Sequence, residues 1–169
     1  MKSNVEQSNN TVLGNMAGRD VNIVIPKIVA KVSNPLREGR EVNLEIDGDS
    51  TTLLDKLEKG KLNNDFKIGA VQSKLNAISI ILTISKSANG KQYLVDVYEN
   101  LLSILRTKYI AIMNDGELLK LNLPKIQEEF TPLVEKYSDV YEIDEAFIEG
   151  LLYIATSNCA LRWKIGEVS

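Results

Sequence analysis

The residues able to do chemistry in this chain fall into four groups. Gly14-x-x-x-Gly18, followed by Arg19 and Asp20, has the look of a phosphate-cradling glycine loop. No Lys-Ser/Thr follows the second glycine, however, and the next run is strand-like, so no helix N-terminus is offered to a phosphate. A glycine turn between strands is the better reading. Glu41, Glu45, Asp47, Asp49 and Asp55 form an acidic cluster. An EF-hand loop needs alternating oxygen ligands, a central glycine and a glutamate at the twelfth position. Asp47-Gly48-Asp49 has neither that spacing nor that glutamate, and reads as a polar turn. Glu128, Glu129, Glu135, Asp139, Glu142, Asp144, Glu145 and Glu149 make the C-terminal third acidic. Paired carboxylates do acid–base work when an apolar pocket separates their pKa values. These are expected on helix exteriors and ends, as a solvated face suited to a basic partner. Cys159 is the single cysteine, and the chain has no histidine, which removes the commonest general base and metal ligand. The thiol is expected on the apolar stripe of the last helix, buried and inert. With no nucleophile–base pair to assemble, the expectation is a protein that is not an enzyme, with no cofactor and no metal.

Elements must position what remains. A chain of 169 residues with 44% hydrophobic and 25% charged residues suits one domain with a short appendage. One cysteine rules out an internal disulfide framework and fits a reducing compartment. The polar run 1–10 is no signal peptide, and Ala77–Ile84 is too short to cross a bilayer, so a cytoplasmic protein without a membrane is expected. The net charge of −3 is uneven: residues 1–40 carry six basic and three acidic side chains, and residues 41–60 two and six. A basic excess that thin is a weak footprint for nucleic acid.

Val21, Ile23 and Ile25 alternate as a half-buried strand does, and Val12-Leu13 precede them across the glycines. Pro26 stops the ladder. Ile28-Val29 and Val32 extend a strand, Asn34-Pro35 turns the chain, and Glu41–Ile46 is a second strand or an ordered linker. Beyond residue 50 the pattern is helical. Ser50 or Thr51 is expected to cap a short helix that Gly60 ends. Asn64 or Asp65 is expected to cap a helix over 66–86 with Ile68, Val71, Leu75, Ile78 and Leu82 inward, its C-terminal half the most buried in the protein. A helix over 92–113 carries the stripe Leu94, Tyr98, Leu101, Leu105, Tyr109 and Ile112. Leu123-Pro124 starts another, with a break near Pro132. The last helix is expected from about Ile143 to Trp163. The fold class is therefore mainly α: a helical bundle over 50–169 with a short β-containing N-terminal arm over 1–49.

A strand at the end of a helical domain cannot satisfy its own edges. The expected interface is accordingly Val12, Arg19, Asp20, Val21, Ile23 and Ile25 in the arm. Tyr153, Arg162 and Trp163 join it at the far end, since Trp and Arg are enriched at interfaces; the alternative for Trp163 is that it closes the core.

The segments Gln7–Val12 and Gly14-Asn15-Met16-Ala17-Gly18-Arg19-Asp20-Val21 resemble the glycine-aspartate run ahead of the C-terminal domain of prokaryotic ABC-three-component (Lamassu-like) conflict systems. The closing pattern Gly150-Leu151-Leu152-Tyr153, then Cys159-Ala160-Leu161-Arg162-Trp163, is similar as well, with looser likeness at Leu57–Leu62 and Phe66-Lys67. Ala160 stands where that family has a histidine. The resemblance implies partnership with an ABC ATPase and effector subunits in defence against phage or plasmids. With no effector domain ahead of the arm, it implies a stand-alone, non-catalytic adaptor that homo-oligomerises through the arm. Two other classes are an antitoxin or immunity protein using the acidic helices, and a small nucleic-acid-binding protein using Lys2, Arg19, Lys27, Lys31, Arg37 and Arg40. The acidic pI of 5.2 argues against the last.

Overall fold

The computed structural model describes residues 28–33 and 41–164. The chain is mainly helical, with six α-helices among the described residues. They are α1 (Thr51–Lys59), α2 (Asn64–Ile84), α3 (Gly90–Leu105), α4 (Leu123–Glu128), α5 (Phe130–Tyr137) and α6 (Glu145–Ser157). A π-turn, Arg106–Ile110, extends α3, and a 3₁₀ turn, Leu119–Asn122, leads into α4. Ahead of the helices, β1 (Ile28–Ser33) pairs antiparallel with β2 (Glu41–Ile46), Ile28 opposite Ile46 and Ser33 opposite Glu41. Both strands lie against α3. The strand expected over Val21–Ile25, and the rest of the Thr11–Ile25 arm, fall outside the described residues.

The core is organised by α6, which packs on α1, α2, α3 and α5. Phe147, Ile148 and every residue from Gly150 to Thr156 are buried. The most buried helix is therefore α6 and not the C-terminal half of α2, where Ser79 and Thr83 face solvent and Ile80 is only half-buried. A helix apolar on all sides is a core helix, and the run Phe-Ile-Glu-Gly-Leu-Leu-Tyr-Ile-Ala has one acidic residue to mark an outer side. Gly150 is what lets α6 approach α2. A Cβ there would lie 2.4 Å from Ala77 Cβ and 2.6 Å from the Ser73 carbonyl oxygen.

Local signals set the helix ends. Asn63, one residue before the expected cap, accepts a hydrogen bond from Phe66 N–H at 2.8 Å, and Asp144 does the same for Phe147 at 2.9 Å. Ser50 occupies the cap position of α1, but its side chain makes no capping bond. The Asp49 carboxylate instead accepts from Thr51 N–H at 2.9 Å. Glu129 separates α4 from α5. The break falls three residues before Pro132, whose ring would otherwise meet the carbonyl of Glu128. The helix expected over 92–113 stops being α-helical at Leu105, and Ile112, placed in its inner stripe, is 72% exposed. On the far side of α3, the Tyr93 hydroxyl donates to the Tyr137 carbonyl, and the Tyr93 ring meets those of Tyr137 and Tyr141 edge-on, at 6.0 and 4.7 Å. This aromatic group holds α5 and the loop after it to the bundle.

Two glycine-to-alanine exchanges separate packing from propensity. Gly150→Ala should lower stability by about 1–3 kcal/mol, because backbone on α2 cannot yield. Gly69→Ala, with nothing within 4 Å of the added carbon, should raise it by roughly 0.5–1 kcal/mol. Urea denaturation of both reads this directly; equal midpoints would contradict the close approach.

Candidate interaction surfaces

Among the described residues, polar side chains gather at the loop from β2 to α1 and at the bundle end at which α6 stops. In the first, Asp47 Oδ1 accepts from Asp49 N–H at 3.0 Å, and Asp49 Oδ1 accepts from both the amide and the hydroxyl of Thr51. These are aspartate turns, self-satisfied within the loop. Hydrogen bonds from the Thr51 amide and hydroxyl hold the Asp49 carboxyl below its usual range. Beneath them Lys74, 1% exposed on the inner face of α2, donates its ammonium to the Asp49 carbonyl at 2.5 Å. Burial lowers its pKa to about 8, against the pull of Asp47 and Asp49 the other way. Of the acidic residues named from the sequence, Asp47 and Asp49 thus cover a buried cation, while Asp55 pairs with Lys59 at 3.0 Å. Lysine at a core-facing helix position broke the apolar pattern, and that was the available signal for it.

At the second place the chain folds back after α6. Asn158 ends the helix, and Cys159 adopts a left-handed conformation at φ 60°. Ala160 N–H bonds to the Ala155 carbonyl, and Cys159 N–H to that of Thr156. This is the Schellman arrangement, usually served by glycine at the left-handed position. Cys159 is therefore exposed at a helix exit, not buried on an apolar stripe, and the last helix ends six residues before Trp163. The same motif closes α1: Leu62 N–H reaches the Leu57 carbonyl, Lys61 N–H that of Glu58, and Lys61 carries φ 59°. Gly60, expected to end that helix through its backbone freedom, keeps a right-handed helical conformation. Its role is spatial, since a Cβ on it would sit 2.8 Å from Trp163 Cβ.

Trp163 is the pin of this end. It is 1% exposed, its indole N–H donates to Thr156 Oγ1 at 3.0 Å, and its carbonyl accepts from Leu119 N–H at 2.9 Å. The Trp163 ring stacks on Tyr153 and meets Phe66 edge-on. Lys56 donates to the carbonyls of Thr156 and Leu161, giving the C-terminus of α6 a cation where its dipole is negative. Of the residues expected at this interface, Trp163 and Tyr153 lie in the core and Arg162 is exposed. The Tyr153 hydroxyl, donating to Glu149 at 3.1 Å, is pushed far above its usual pKa by burial and by that carboxylate. Val12, Arg19, Asp20, Val21, Ile23 and Ile25 lie outside the described residues.

The C-terminal acids sit on helix surfaces and make local contacts. Lys108 pairs with Glu129 at 2.7 Å, Gln127 bonds to Glu149, and Thr131 to Glu145. A shallow cleft of about 370 Å³ between α2 and the loop before α6 is lined by Ser79, Ile80, Thr83, Ile84, Tyr141 and Glu142. It brings together one carboxylate, not a pair.

Lys74 gives a pH signature. The unfolded chain holds a lysine proton up to about pH 10.4, while the native group titrates near 8. Between those values the unfolded state binds more protons, so stability rises with pH across the window and the burial penalty is fully present below it. Urea midpoints at about pH 7 and 9.5 should therefore rise for the native chain relative to Lys74→Met; parallel changes would refute the shift. Separately, Cys159→Gly should add roughly 1 kcal/mol, by relieving a left-handed residue that carries a Cβ, as read by thermal unfolding.

Comparison with protein-family models, curated proteins and solved structures finds no match to this chain.

Proposed function

We propose that this chain is a non-catalytic assembly subunit that works through protein–protein contacts. The observation that carries the reading is the hairpin. β1 and β2 pair with each other and, among the described residues, with no further strand. Two strands cannot cover both of their edges, and an exposed edge accepts another strand by main-chain hydrogen bonding. The helical body supports the reading by how its buried polar groups are used. Lys74, Lys56, Tyr93 and Tyr109 each donate to a main-chain carbonyl, and Trp163 to a hydroxyl. Their role is to join elements, which suits a rigid body that presents its outside.

The resemblance to the C-terminal domains of ABC-three-component conflict systems gives this role a setting. In it, the chain is a cytoplasmic adaptor of a complex directed against phage or plasmids, alongside an ABC ATPase and effector subunits. Residues 1–49 would self-associate or add a strand to a partner, and the helical domain would dock the larger complex.

Light scattering after size exclusion, on the full chain and on a version beginning at Asp47 that lacks both strands, tests the proposal together with co-purification from the native gene neighbourhood. The full chain should exceed the monomer mass, and the shortened one should fall toward it. Two monomers of ordinary mass with no partner recovered would remove the reading.

A further inference from the structure

We infer that the bundle end around Trp163 is a docking surface for an acidic protein segment with interleaved apolar residues. The inference rests on the assembly reading above and names the chemistry of one partner. Three separate stretches of chain meet there. Gly60 lies against Trp163, the Lys120 ammonium donates to the Lys61 carbonyl at 3.1 Å, and Leu118 bridges to Lys164. Their convergence gathers Lys61, Lys120 and Arg162 within one patch. The neighbouring cations Lys59 and Lys67 are already matched by Asp55 and Glu58. Glu117 turns its carboxylate back to the Asn114 amide, and Asp65 occupies the first turn of α2. Among the described residues Lys61 and Arg162 have no ion-pair partner, and Lys61, Lys120 and Arg162 outnumber Glu117 and Asp65, so the described part of the patch carries surplus positive charge.

Two further observations make it more than a solvated edge. Lys61 stands at φ 59° in the turn that closes α1, where main-chain bonds fix the direction in which its side chain leaves the backbone. Leu121, in the same 3₁₀ turn as Lys120, is 62% exposed, and Ile112, just after the π-turn that packs on it, is 72% exposed. Apolar side chains beside unmatched cations fit a partner that alternates carboxylates with apolar residues. Nucleic acid fits less well: Trp163 and Tyr153 are buried, so they form no stacking platform, and three cations contact few phosphates.

The test uses the full chain and a fluorescein-labelled peptide of about sixteen residues alternating Glu and Leu, followed by anisotropy at about 50 mM salt. The native chain should bind it, and K61E/K120E/R162E should weaken binding about tenfold or more. L121S should weaken it severalfold, whereas K91E, in the first turn of α3, should leave it unchanged. Equal binding by the triple variant, no binding by the native chain, or tighter binding of an oligothymidine of similar length would each overturn the inference. Light scattering of the same variants keeps the two readings apart. Loss of peptide binding with the oligomer intact separates this surface from the hairpin, and an oligomer without peptide binding sinks this inference alone.

Discussion

The close approach of α6 to α2 is the constraint on which the remaining structure depends. Gly150 has no side chain, so Ser73 and Ala77 come within contact of the α6 backbone, and the flanking Phe147, Ile148, Leu151 and Ile154 fill the spaces on either side. From that axis the other elements take their places: α1 and α5 on α6 directly, α3 beside both, and the hairpin against α3. A single helix in contact with four others leaves little freedom to slide any one of them, because interiors packed to crystal-like density do not deform gradually.

Much of this was legible in the residues. Three-to-four spacings gave the helices, Pro132 gave the break between α4 and α5, and Asn and Asp residues gave the caps within a position or so. What escaped has a common physical cause: tertiary contacts overrode local preference. Cys159 and Lys61 take the left-handed conformation that sequence reasoning assigns to glycine, because the fold-back over Thr156 and the turn over Leu57 supply main-chain bonds that outweigh the strain. Ile112 belongs to a helical stripe by spacing alone, but the π-turn at Arg106–Ile110 rotates the chain out of phase before it is reached. The site was less legible than the fold. Tyr153 and Trp163 have the composition of an interface, and nothing in their spacing distinguishes that from a core. Lys74 interrupts an apolar stripe, but its carbonyl partner on Asp49 is a backbone group that no side-chain pattern announces.

The two gathering points act as clasps at different positions on α2. Near its start, Phe66 joins Tyr153 and Trp163. Further along, Lys74 fastens the loop between the hairpin and α1. A displacement of the hairpin would therefore be felt at a buried ammonium, while the fold-back after α6 has its own separate fastening. Strand and bundle are thus joined both by the packing of the two strands on α3 and by the charged hydrogen bond from Lys74 to the loop after β2.

Trp163 is the chain's single tryptophan, and it sits between the Tyr153 and Phe66 rings with its indole N–H engaged. Nature has thus installed one spectroscopic probe at the seam where three stretches of polypeptide are knotted together. Its emission colour and its energy transfer from tyrosine give a local optical readout of that seam, with no other indole to contaminate the signal.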